Sequence, residues 1–88
     1  MWYVYILECK NRSFYTGITN NLERRLEEHK DGKGSKFTRA FKANKLMYSE
    51  ALNSKNEALK REALIKGWTR KKKQILIAAN KRLRLNGA

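Results

Sequence analysis

Trp2 to Glu8 is nearly continuous in aromatic and β-branched residues, the pattern of a strand covered on both faces. Cys9 to Ser13 is polar, and Phe14 to Ile18 restores the strand pattern. The two segments predict an antiparallel hairpin, closed by a loop of several residues rather than a tight two-residue turn. Thr19, Asn20 and Asn21 stop the second strand. Asn20 with Glu23 three residues on matches a capping box, which opens a helix expected to reach about Lys30. Gly32 stands ready to cap its C-terminus. The segment 30–45 is basic and contains glycines, and is expected as loop or short helix; its GKGS lacks the glycine spacing of a phosphate-binding P-loop. Leu46 to Ser49 predicts a short third strand.

Ser54 with Glu57 forms a second capping box, opening a helix from Lys55 to about Lys66, with Gly67 as its end or a kink. After Trp68 a basic run, Arg70 to Lys73, precedes apolar residues at helical spacing: Ile75, Leu76, Ala79 and Leu83. No internal repeat is present. The expectation is one α+β domain over residues 1–88, a small three-stranded antiparallel sheet flanked by helices. Strand 1 should lie in the middle, with strand 3 returning to its free edge.

Composition narrows the function. A chain of 88 residues buries only about 60–65% of its unfolded surface, and 41% hydrophobic residues suffice for so small a core. The lone Cys9 excludes an internal disulfide, and one cysteine with one histidine cannot build a structural zinc site, so a reducing cytoplasm is the expected compartment. No apolar run approaches the roughly 20 residues needed to cross a bilayer, and the first residues lack a basic leader region and cleavage site. Twenty-one Lys and Arg against eight Asp and Glu leave a net charge of +13. That field favours polyanions, with phosphate backbones first; the plain alternative is a cationic surface that serves solubility.

Several polar residues fall where leucines are expected. Leu22 and Leu26 define the inner stripe of the first helix. His29 lies between them on the wheel and Arg25 on the stripe's edge, while Arg24 points away. The plain alternative is that Arg25 snorkels past the core and His29 is a satisfied imidazole. On the second helix Ala58, Leu59 and Ile65 form the expected apolar face, and Glu62 projects within it. A carboxylate on a core face is either paired or a metal ligand, and an ion pair to Lys66 is the simpler account. Tyr5 and Tyr15 share one side of the hairpin if odd residues pair with odd, and Gly17 then leaves open space beside Tyr5. Two phenols, an arginine, a histidine and a carboxylate beside one sheet fit phosphodiester hydrolysis: a carboxylate for a divalent ion, arginine for transition-state charge, a tyrosine or histidine for water.

These residues resemble the GIY-YIG nuclease superfamily, and its small single-domain bacterial members in particular. Tyr3-Val4-Tyr5 stands where Gly-Ile-Tyr would be, and Tyr15-Thr16-Gly17 matches Tyr-Ile-Gly. Arg25 falls at the family's arginine, His29 at its frequent histidine one turn on, and Glu62 at the metal-binding glutamate. Tyr3 replaces the first motif's glycine, and Gln74 stands where larger members carry an asparagine. The resemblance implies a DNA endonuclease dependent on Mg²⁺ or Mn²⁺, acting on branched, damaged or single-stranded structures. In it Tyr5 is the general base, Tyr15 bonds near the water or phosphate, Arg25 stabilises the transition state, His29 orients or relays protons, and Glu62 binds the metal. Lys36, Arg39, Lys71, Lys72 and Lys73 would guide the nucleic-acid backbone, with weak sequence preference. The alternative is a nucleic-acid-binding module with little or no cleavage, or an accessory subunit of a larger partner that supplies targeting.

Overall fold

The computed structural model describes residues 1–32 and 43–87. Its elements are β1 (Trp2–Cys9), β2 (Phe14–Thr19), α1 (Leu22–Lys30), β3 (Ala43–Leu52), α2 (Lys55–Lys66) and α3 (Arg70–Gly87). This is an α+β fold on an antiparallel sheet of order β2-β1-β3, with the most apolar strand in the middle. A central strand loses solvent on both edges and both faces, and Val4, Tyr5 and Ile6 are accordingly fully buried.

The hairpin pairs odd with odd: Tyr3 faces Thr19, Tyr5 faces Gly17 and Leu7 faces Tyr15. Even positions therefore share the other face, where Val4 and Ile6 meet Tyr48, Ala58, Ile65 and Ile77 in the main core. Helices α2 and α3 cover that face. Helix α1 serves the odd face, where the phenol of Tyr5 meets His29. The loop between β1 and β2 holds Arg12 at φ 69, with the Arg12 amide bonding to the Cys9 carbonyl at 2.8 Å.

Strand β3 runs ten residues, well beyond Leu46 to Ser49. Its polar residues hid it. Glu50 pairs with Val4 on the core face, yet its carboxylate accepts from Tyr48 Oη at 2.6 Å and from Arg61 Nε at 3.2 Å. The α1 cap is Asn21, one residue later than expected, because Thr19 stays in the strand and its Oγ1 accepts the Asn21 amide at 3.1 Å. Asn21 Oδ1 then accepts from the Arg24 amide at 3.1 Å. Gly32, at φ 78, bonds back to the His29 carbonyl at 3.2 Å, the left-handed stop expected there. Ser54 caps α2 as expected, accepting from the Glu57 amide at 3.2 Å, while Glu57 accepts from the Asn53 amide.

Two helix faces differ from the expectation. Leu59 is 42% exposed, and α2 buries Ala58 and Ile65 instead. On α3 the buried residue is Ile77 with Leu76 beside it, while Ile75 is 61% exposed and Ala79 is exposed. Ile75 and Ile77 lie two residues apart, so one helix face cannot take both. The side chain of Leu83 lies outside the described residues.

Candidate active site on the odd face of the sheet

Gly17 is the pivot of the site. A Cβ built there would lie 2.6 Å from Tyr5 Oη, 2.8 Å from Tyr5 Cζ and 3.0 Å from Tyr15 Cε1. The space expected beside Tyr5 is therefore not open: the Tyr5 phenol itself lies across the glycine. Only a residue without a side chain lets the phenol cross β2 there.

From β1 the Tyr5 hydroxyl reaches His29 Nε2 of α1 at 2.8 Å. Tyr15, from β2, stands edge-on to the same imidazole, with centroids 5.1 Å apart and rings at 61°. The two tyrosine rings are 6.3 Å apart. Arg25, one turn before His29, brings its guanidinium within hydrogen-bonding reach of the Tyr5 oxygen. Its Nη1 also pairs with Glu28 Oε1 at 3.3 Å. Tyr5 is fully buried and His29 is 1% exposed, whereas Tyr15 and Arg25 are half-buried and form the outer layer.

Burial sets the protonation states. It pushes the Tyr5 phenol up to about 12, against the hydrogen bond from Arg25, so Tyr5 rests as a neutral phenol. Burial, aided by the Arg25 charge, lowers His29 to about 4, so the imidazole is neutral at physiological pH. For Arg25 burial works against the charge, but the Tyr5 phenol and Glu28 outweigh it and hold the guanidinium more firmly protonated.

Glu62 stands on α2, the helix that packs on the even face of the sheet. Its side chain is 18% exposed and its Oε2 lies 3.5 Å from Lys66 Nζ, so the simpler account of this carboxylate, an ion pair along the helix, is present. Its charge is nevertheless felt at the Tyr5 phenol, as the smallest of the influences there. Among the described residues no group of three or more His, Cys, Asp and Glu side chains is placed to hold a metal. Among the described residues the carboxylates here are Glu28, engaged by Arg25, and Glu62, which is therefore the candidate to hold an ion. One carboxylate suits Mg²⁺ or Mn²⁺, since Mg²⁺ keeps several waters and takes one or two carboxylates together with substrate phosphate oxygens.

Of the expected backbone-guiding residues, Lys71 and Lys72 are exposed on the first turn of α3 and Lys73 is half-buried. Lys72 Nζ lies 4.5 Å from the centroid of the Trp68 ring. Lys36 and Arg39 lie outside the described residues. Glu28 went unnoticed in the sequence, although its i,i+3 spacing from Arg25 was the available signal.

A family model described as the GIY-YIG catalytic domain matches residues 1–74. The chain belongs to the GIY-YIG family. It is 51% identical over 79 residues to a UPF0213 protein of Streptococcus agalactiae, covering 90% of each chain. A UPF0213 protein of Clostridium perfringens is also 51% identical over 79 residues, covering 90% of this chain and 85% of that relative. The solution NMR structure of a UPF0213 protein from Bacillus halodurans is similar at a TM-score of 0.58 and 44% identity, over 90% of this chain and 85% of that one. In this GIY-YIG chain the tyrosines on β1 and β2 and the arginine and histidine on α1 form one packed cluster. No helix of the described residues is long and apolar enough to cross a membrane.

Proposed function

We propose that this protein is a divalent-metal-dependent endonuclease that hydrolyses phosphodiester bonds in DNA, on branched, damaged or single-stranded structures and with weak sequence preference. The observation that carries the reading is the convergence of Tyr5, Tyr15, Arg25 and His29 around Gly17, to which Glu62 of α2 would add a carboxylate. Glu62 would hold the ion, which when bound supplies a Lewis-acid contact to a phosphate oxygen.

The chain's own groups account for the rest. Arg25 leaves Glu28 for the phosphate and steadies the charge that develops on its oxygens. That movement uncovers the Tyr5 oxygen. A phenol at about 12 is not ionised near neutral pH, so Tyr5 acts by relay. It takes the attacking water's proton as it gives its own to His29 Nε2, which burial and the distance of 2.8 Å keep ready as an acceptor. Tyr15 bonds beside the water or the phosphate. Lys71, Lys72 and Lys73, with Lys36 and Arg39, guide the backbone by charge, which gives affinity without sequence information. The lone, buried Cys9 fits the reducing cytoplasm as the place of action.

A second reading, a nucleic-acid-binding module or accessory subunit with little cleavage, is favoured by one feature: Arg25 and Glu62 are each already paired within the chain. Cleavage of plasmid, branched and single-stranded DNA with Mg²⁺ or Mn²⁺ separates the two readings. The wild type should cut, and Glu62→Ala and Arg25→Ala should each lose about 100-fold or more. Equal activity in all three proteins contradicts the nuclease reading. Binding without cleavage in any of them supports the module.

A further inference from the structure

Lys66 is the last residue of α2, one turn beyond Glu62, and its ammonium lies 3.5 Å from the Glu62 carboxylate. Lys66 is 54% exposed along its side chain while Glu62 is 18% exposed, so the flexible partner is the lysine and the fixed one the carboxylate. Lys73, from the first turn of α3, is half-buried, and its ammonium is lowered first by that burial and then by the charge of Lys66. The Lys66 ammonium is therefore the cation that Glu62 holds, and Lys73 is the neighbouring cation whose charge Lys66 disfavours. Like charges in a partly desolvated corner are held at a cost, and that cost is relieved when an anion bridges them.

We propose that Lys66 is a resident counter-cation for Glu62: it holds the carboxylate until a divalent ion displaces it, and then joins Lys73 in gripping the adjacent substrate phosphate. The inference rests on the reading of Glu62 as the metal-holding residue. The two cations compete for one carboxylate, because Glu62 cannot serve both at full strength. A lysine suits such an exchange: its compact charge sits on a flexible stem and needs no fixed fork of donors. The arrangement keeps Glu62 paired in the resting protein. It also ties phosphate capture by Lys66 to the arrival of the ion.

The test uses the full chain without nucleic acid first, with Mn²⁺ as the probe and its free-ion paramagnetic resonance signal as the readout. Lys66→Met should bind Mn²⁺ about three- to fivefold more tightly than the wild type, the size of an exposed ion pair removed from competition. Glu62→Gln should lose the site. Equal or weaker binding by Lys66→Met, while Glu62→Gln still loses the ion, overturns the counter-cation role alone. Undiminished binding by Glu62→Gln overturns it together with the metal-holding reading. A second arm measures affinity for a labelled DNA hairpin, with Ca²⁺ and with chelator. Lys66→Met and Lys73→Met should each weaken binding several-fold with Ca²⁺, and Lys66→Met should leave it nearly unchanged with chelator. A loss in Lys66→Met that is the same in both conditions overturns the exchange. Lys66 is mostly exposed, so the variant should fold, and its circular dichroism spectrum checks that.

Discussion

His29 shows how burial decides chemistry at one residue. Its imidazole is neutral in the fold, lowered to about 4 from an ordinary 6.5, while in the unfolded chain it takes a proton near 6.5. The unfolded state therefore binds protons first as pH falls. The His29 contribution is fully present above about pH 6.5 and is lost progressively down to about pH 4, for a total of about 3 kcal/mol. Denaturant unfolding across that window should show the drop in the wild type and a shallower one in His29→Gln; matching slopes contradict the assignment. Gly17 makes the complementary point about space. Gly17→Ala would drive a methyl group against the Tyr5 hydroxyl at 2.6 Å, so it should cost about 1–3 kcal/mol and displace the phenol from His29. Calorimetric melting checks the first effect, and the chemical shifts of the His29 ring check the second.

At the scale of elements, local chemistry was legible and facing was only partly so. The Ser54 cap and the α2 boundaries follow from hydrogen-bonding that a few neighbouring residues specify. The sequence left the hairpin register open, and the odd-to-odd pairing of the structure meets the condition under which Tyr5 and Tyr15 share a side. The order β2-β1-β3 was legible too, but helix facing and strand length set by distant partners were not. Leu59 looks like core in sequence, but α2 meets the sheet through Ala58 and Ile65; β3 looks short because Glu50 needs Tyr48 and Arg61 to sit where it does. The closing of the space beside Gly17 by the Tyr5 phenol was likewise hidden, whereas the Arg25–Glu28 pair had its i,i+3 spacing within α1 as a local signal. The β1–β2 loop carries its own prediction. Arg12 is held in the left-handed region, which costs a residue with a Cβ about 1 kcal/mol. Arg12→Gly should recover part of that, up to about 0.5–1 kcal/mol in denaturant unfolding, and a destabilised variant would show that the side chain makes a compensating contact.

For the whole molecule, the charge of +13 and the site describe two separable contributions to the proposed activity. Exposed Lys71 and Lys72 should add affinity by releasing counterions, so substituting both with Gln should flatten the salt dependence of DNA binding by about two units of slope, equally for unrelated sequences. A change confined to one sequence would mean base reading instead. In the proposed nuclease the hydrolytic step belongs to the cluster around Gly17, and there a single atom discriminates. The most direct measurement is the single-turnover cleavage rate of a DNA junction with Mn²⁺ for wild type and Tyr5→Phe, which differ only by the oxygen that lies 2.8 Å from His29 Nε2. The account predicts a fall of about 100-fold or more in Tyr5→Phe with the fold and DNA binding retained; an unchanged rate would contradict it.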